Sequence, residues 1–268
     1  MGSERCAESE AGRKSIVFSG REEKEMRERR CTVIVLAGGQ GKRMGTKTSK
    51  QYLDILGKPV LYYSLYAFEQ SEIIDDIILV VGSGQVEYVK NEFLNKWDFQ
   101  KIRKVVEGGR ERYHSVWEGL KAIREENRTE GNYVYIHDSA RPFITEEIIK
   151  RAQHDVEKYG ACVVGMPSKD TIKIADEEGF ASETPPRDRM WIVQTPQVFE
   201  ASIIIEAYSR MMEKEQITAT DDAMAVEQEL HLPVRMTEGS YENIKITTPE
   251  DLEIAEVFAR RCFDAEKQ

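Results

Sequence analysis

Short, β-branched apolar runs separated by longer stretches of helical period recur along most of this chain, and that alternation limits its possible folds more than any other feature. The runs Val33–Ala37, Ile77–Val81, Ile102–Val106, Tyr133–His137 and Ala161–Gly165 read as strands. Between them, residues 59–70, 84–95, 112–126 and 145–158 carry amphipathic periodicity. Nearly continuous apolar strands alternating with helices predict an α/β fold, a mainly parallel, Rossmann-like twisted sheet with helices on both faces. Ligands of such sheets collect at the carboxyl ends of the strands.

Local chemistry marks several element starts. Pro59 suits a first helical turn, Thr145 can cap the segment opening with Glu146-Glu147, and Thr248 precedes Pro249-Glu250-Asp251. The last helix is therefore expected to run from about Thr248 toward the C-terminus. One segment breaks the alternation: Thr171–Ala175 and Phe180–Glu183 flank Asp176-Glu177-Glu178-Gly179 and precede Pro185-Pro186. This reads as a β-hairpin arm at about 169–190 inserted in the sheet. Residues 1–31 mix charges with few apolar residues and sustain neither period, so a disordered or frayed N-terminal extension is expected there. A single domain is expected over 32–268, its first strand beginning at Thr32 or Val33.

The formal net charge of −10 speaks against a nucleic-acid binder, which would need a basic surface against phosphates. No apolar run approaches the ~20 residues of a spanning helix, so no membrane association is expected. Cys6, Cys31, Cys162 and Cys262 form no metal-ligand spacing and, with no signal-peptide pattern, read as free thiols of a cytoplasmic protein. His114, His137, His154 and His231 show no HxH or HExxH spacing, and no serine sits in a G-x-S-x-G elbow, so no histidine is assigned a catalytic role.

Against this acidic background, the run Leu36-Ala37-Gly38-Gly39-Gln40-Gly41-Lys42-Arg43-Met44-Gly45 stands out. Glycines let the backbone approach a phosphate chain, and Lys42, Arg43, Lys47 and Lys50 bring positive charge. From Cys31 through Leu53 there is no acidic residue. The competing reading is a glycine turn with solvated lysines. A dinucleotide fingerprint would need a third glycine where Met44 stands, which weakens an NAD-linked oxidoreductase, and no Walker A pattern occurs. Asp138, just past a predicted strand, could hold a metal against a triphosphate, but by itself it reads rather as a turn or cap aspartate. Gly108-Gly109, between a strand and a helix, could likewise be a structural turn.

The glycine-rich loop is followed in order by Ser49-Lys50-Gln51-Tyr52, Gly108-Gly109-Arg110-Glu111-Arg112 with Ser115, His137-Asp138-Ser139-Ala140-Arg141-Pro142, Thr195-Pro196-Gln197, Thr220-Asp221-Asp222-Ala223 and Asn243-Ile244-Lys245. Over about residues 32–258 this series resembles the 2-C-methyl-D-erythritol 4-phosphate cytidylyltransferase family. The resemblance implies transfer from CTP to a small alcohol phosphate, with Mg²⁺ on Asp138 and with Arg43 and Lys50 as catalytic cations. It implies CTP contacts from Ala37, Gly38, Gly39, Gly41, Gly109, Arg110, Ser115 and Lys245. It further implies acceptor contacts from Asp138, Arg141, Thr171, Arg187, Thr195 and Thr220, Arg187 reaching across a homodimer. Lys173 and Arg189 keep the plainer reading of solvated charges. Ser139 replaces the commoner alanine, and Asp222 stands where glutamate is frequent. A ribitol 5-phosphate cytidylyltransferase and a non-catalytic nucleotide-binding protein are the alternatives.

Overall fold

The computed structural model describes residues 29–39, 49–126 and 129–264. The strands in chain order are β1 Cys31–Ala37, β2 Asp54–Ile55, β3 Lys58–Pro59, β4 Asp76–Val81, β5 Ile102–Glu107 and β6 Tyr133–Asp138, then β7 Ala161–Pro167, β8 Ile174–Ala175, β9 Ala181–Glu183, β10 Trp191–Glu200 and β11 Arg235–Glu238. The regular helices are α1 Val60–Gln70, α2 Arg112–Glu125, α3 Glu146–Tyr159, α4 Ala201–Met212, α5 Asp222–Leu230 and α6 Pro249–Asp264. Seven strands form one sheet in the order β11-β7-β10-β6-β1-β4-β5. Neighbours pair in parallel except β10, which runs antiparallel between β6 and β7.

The strand repeat of two divides the apolar residues between two cores. Along β1, Val33, Val35 and Ala37 join one core while Ile34 and Leu36 join the other. The first core is closed by α1, α3 and α6 through residues such as Leu61, Ile149 and Ala255. The second is closed by α2, α4 and α5 through Leu120, Ile204 and Val226. Helices on both faces of a mostly parallel sheet are the α/β architecture that the alternating pattern predicts. α2 lies so close to β1 that a Cβ on Gly119 would come within 2.7 Å of the Ile34 side chain.

Some local expectations need correction. β1 begins at Cys31, one residue inside the segment read as an extension, because Cys31 is buried and pairs with Tyr133. Pro59 ends β3 and precedes α1 instead of joining its first turn. Thr145 holds the cap position of α3, but its hydroxyl turns to the Glu147 carboxylate and makes no cap bond. At the start of α6 the capping partner is Asp251, which accepts from the backbone N–H groups of Thr247 and Thr248. The stretch from Val86 is α-helical only to Tyr88, then widens to a π-turn over Val89–Phe93 that buries Val89 and Phe93. The expectation for residues 1–28 lies outside the described residues, as do Gln40 to Thr48 of the glycine-rich loop.

The hairpin forms as expected. β8 and β9 pair antiparallel, Gly179 takes φ +90°, and the Asp176 carboxylate accepts from the N–H groups of Glu178 and Phe180. It stands clear of both cores, with Phe180 69% exposed.

Candidate active site

Four adjacent parallel strands, β6, β1, β4 and β5, end side by side, and the segments leaving them line an open cleft of about 820 Å³. Gly38 and Gly39 follow β1, Gly82 and Ser83 follow β4, Gly108 and Gly109 follow β5, and Asp138 closes β6. Two backbone bonds keep the ends in step: Gly108 N–H donates to Val81 O at 2.7 Å and Ser139 N–H to Leu36 O at 3.0 Å. The glycines serve different ends. A Cβ on Gly108 would lie 3.1 Å from Val81 O and 2.7 Å from Ser115 Oγ, so the protein itself excludes a side chain there. On Gly39 the nearest atom among the described residues would be Lys50 Cε at 3.9 Å, and Gly39 lines the cleft.

The Asp138 carboxylate is the cleft's most constrained charge. It is 8% exposed and accepts from Lys245 Nζ at 2.6 Å on one oxygen and from Arg112 Nε at 3.2 Å on the other. Burial by itself would raise its pKa, but Arg112, Lys245 and Arg141 outweigh burial and hold it well below the usual carboxylate range. Arg112 also grips Asp222 with both terminal nitrogens at 2.8 Å, and Asp222 accepts the Tyr208 hydroxyl at 2.6 Å.

A chain of buried hydrogen bonds supports this carboxylate from behind. Asp138 N–H donates to Thr195 Oγ1 at 3.1 Å, and Thr195 Oγ1 lies 3.1 Å from His137 Nδ1. His137 Nε2 lies 3.0 Å from the Arg141 carbonyl, which can only accept. Nε2 therefore carries the proton, and the neutral ring accepts the Thr195 hydroxyl at Nδ1. Burial favours that neutral form and pushes the His137 pKa down to about 4.

The structure gathers Gly38, Gly39, Lys50, Gly109, Arg110, Ser115, Asp138 and Lys245 around one cleft. Lys50 Nζ donates to the Ile246 carbonyl at 3.2 Å. Ala37 lies beneath the floor, buried, with its carbonyl accepting from Gln51 Nε2 at 2.7 Å. Arg141 donates to the carbonyls of Asn243 and Val193, while its Nε is buried without a hydrogen-bond partner. Thr171 and Arg187 belong to the arm, and Thr220 precedes α5; none of the three lines the cleft. Gly41 and Arg43 fall outside the described residues.

Three residues of this site were given no site role from the sequence. Arg112 and Asp222 are 110 positions apart, and only the fold brings them together. Asn243, fully buried, ties the segment carrying Lys245 to β10 through the Thr195 carbonyl at 2.9 Å. Membership of their motifs was a signal, but not of these roles.

A glycine-lined, cation-rich cleft at the ends of parallel strands, with one buried ionised carboxylate, defines an α/β protein built to hold a phosphorylated ligand. Comparison with known proteins narrows the class. Residues 31–261 match the family model described as IspD, 2-C-methyl-D-erythritol 4-phosphate cytidylyltransferase. The chain is 50% identical to the protein of that name from Lachnospira eligens over 230 residues, covering 85% of this chain and 99% of the relative. It is 48% identical to the one from Lachnoclostridium phytofermentans, covering 88% and 98%. Among solved structures, the 4-diphosphocytidyl-2C-methyl-D-erythritol synthase of Anaerococcus prevotii superposes with a TM-score of 0.74 at 32% identity, covering 87% of this chain and 96% of that one. This chain belongs to the 2-C-methyl-D-erythritol 4-phosphate cytidylyltransferase family.

Proposed function

We propose that this protein transfers the cytidylyl group of CTP to 2-C-methyl-D-erythritol 4-phosphate, forming the CDP-alcohol and pyrophosphate in non-mevalonate isoprenoid precursor synthesis. Family membership over residues 31–261 carries this reading, and the cationic cleft supports it.

The acceptor phosphate has its second pKa near ~6, so at neutral pH it is mostly a dianion and needs little help from a base. One of its oxygens forms a bond to the α-phosphorus of CTP as the bond to pyrophosphate breaks. The obstacle is repulsion between two anions. Lys50 and Arg43 neutralise charge developing on the α-phosphate and the leaving group. Lys245 contacts the nucleotide's phosphates, and Gly38, Gly39, Gly109, Arg110 and Ser115, with Ala37 and Gly41, seat the rest of the nucleotide. Arg141 and the hydroxyls of Thr171 and Thr220 hold the acceptor; Thr195, expected among these contacts, is buried with its hydroxyl engaged by Asp138 N–H and His137 Nδ1, and acts by supporting Asp138.

Asp138 is the residue that would hold Mg²⁺. Its chemistry fits: the carboxylate is ionised, and each oxygen has one protein partner and a second lone pair left. The described residues contain no cluster of three or more candidate metal ligands, which suits an ion that takes one or two carboxylates and completes its shell with phosphates and water. When bound, Mg²⁺ would offset negative charge on the triphosphate.

The protein acts as a homodimer joined through the arm. The support is physical: an isolated two-stranded hairpin is marginal in water, and this one exposes Phe180 and Ile174 with Ile192 nearby in sequence. Arg187, at the exit of the arm, then reaches the partner's acceptor phosphate. No helix among the described residues is long and apolar enough to cross a membrane. The buried free thiol of Cys162 is in keeping with a reducing cytoplasm.

The test is pyrophosphate release across the four nucleoside triphosphates and a panel of alcohol phosphates. Turnover is expected with CTP and 2-C-methyl-D-erythritol 4-phosphate. Turnover with ribitol 5-phosphate alone, or with no acceptor, would overturn the reading.

A further inference from the structure

We infer that Arg112, clamped by an Asp222 that Tyr208 holds in place, is a positioning residue that presents the Asp138 carboxylate to the divalent cation. The inference rests on the cytidylyl-transfer reading above.

Arg112 opens α2 beside Gly108 and Gly109. Both terminal nitrogens of its guanidinium bond Asp222 at 2.8 Å, and its Nε meets Asp138 at 3.2 Å. A planar guanidinium held by its fork has no rotational freedom left. The fork's anchor is itself fixed: Asp222 is fully buried at the start of α5 and takes the Tyr208 hydroxyl from α4. The α5 start is tied in turn to β10, since Gln197 donates to Asp221 and accepts from Ala223 N–H. The direction of Nε toward the cleft is therefore set by two helices and a strand that do not line it.

Lys245 reaches the other oxygen of Asp138 on a flexible stem, with a side chain 37% exposed. Of the carboxylate's two cationic hydrogen-bond partners among the described residues, one is locked and the other is able to move away.

Charge gives Asp222 its role. Within the ion-paired group, Arg112 and Lys245 are matched by Asp138 and Asp222, and Arg141 adds a further positive charge close to Asp138. Without the Asp222 charge, the guanidinium fork could turn onto Asp138 and occupy both its oxygens, competing directly with a divalent cation. Asp222 occupies the fork, leaves a single Nε bond on Asp138, and so orients that carboxylate without covering it.

Mn²⁺ binding in the presence of CTP, followed by the resonance of free Mn²⁺, tests this together with melting temperature, kcat and KM. Asp222→Asn is expected to weaken Mn²⁺ binding by about 10–100-fold, as loss of a supporting partner does at other metal sites, and to lower kcat with little change in KM for CTP. Asp222→Glu restores the charge and is expected to recover most of both. Tyr208→Phe is expected to weaken Mn²⁺ binding by a smaller factor. Wild-type Mn²⁺ affinity in a folded Asp222→Asn protein overturns the inference, and so does an Asp222→Glu protein no better than Asp222→Asn. Should Asp222→Asn fail to fold, unchanged Mn²⁺ affinity in Tyr208→Phe overturns it. Absence of wild-type turnover would sink the assigned reaction, whereas normal turnover with Mn²⁺ binding insensitive to Asp222 would sink this inference alone.

Discussion

Lys50 enters the cleft from a single 3-10 turn, Lys50–Tyr52, whose neighbour Gln51 is bonded to the Ala37 carbonyl below the floor. An ammonium so placed can act on charge that develops at the α-phosphate, and Lys50→Ala is expected to lower kcat by ~10²–10³-fold, as loss of a transition-state donor does elsewhere. Steady-state rates with CTP check this; near-normal turnover would remove Lys50 from the mechanism. His137 acts on stability instead. Its pKa is lowered in the fold from 6.5 to about 4, so the neutral ring stabilises the fold fully above pH 6.5, and that contribution is lost as pH falls toward 4. At 1.36 kcal/mol per pKa unit the loss is about 3 kcal/mol. Urea midpoints should fall between pH 7 and pH 4 more steeply for the wild type than for His137→Gln; parallel curves would refute the assignment. At this scale the sequence made Lys50, Asp138 and Lys245 visible through their motifs. It hid the Thr195–His137 relay, because a buried, satisfied histidine leaves no spacing signature.

Among the elements, the arm makes the clearest prediction. β8 and β9 contribute no residue to either core, so the apolar side chains they expose need cover from elsewhere. Phe180→Asp is expected to shift the protein toward monomer in sedimentation equilibrium and to raise KM for the acceptor much more than for CTP. A dimer of unchanged stability would remove the arm from the interface. The five core strands predicted from sequence all form within about two residues of their expected ends; β1, β4, β6 and β7 carry runs buried on both faces, whereas β5, at the sheet edge, is held by the half-buried Ile102, Val105 and Val106. β10, β11, α4 and α5 were not read from the sequence. β10 begins in exposed residues beside the arm and becomes buried only from Gln194 onward, so its pattern changes character midway. β11 is a four-residue edge strand with one buried residue, too little to register as a period.

For the whole molecule, a cleft assembled from the ends of four strands couples ligand binding to global stability. CTP with Mg²⁺ at one hundred times its dissociation constant adds about 2.7 kcal/mol to the folded state. At ~2–4 °C per kcal/mol for a chain of this size, the melting temperature should rise by about 5–10 °C. A thermal-shift series should show a smaller rise with ATP, GTP or UTP; an equal response to all four would count against selection of the base by this cleft. The amino-acid sequence alone determined the α/β class, the five core strands, the hairpin and the ordered motifs, because hydrophobic period and turn chemistry are local properties that neighbouring residues carry together. Only the tertiary structure decided that Asp138 stands between Arg112 and Lys245, and that Arg112 is locked by Asp222, itself held by Tyr208. Those contacts join residues from α2, β6, α4, α5 and the segment after β11, and a charge's partner is set by where the packed sheet places it, not by what adjoins it in the chain.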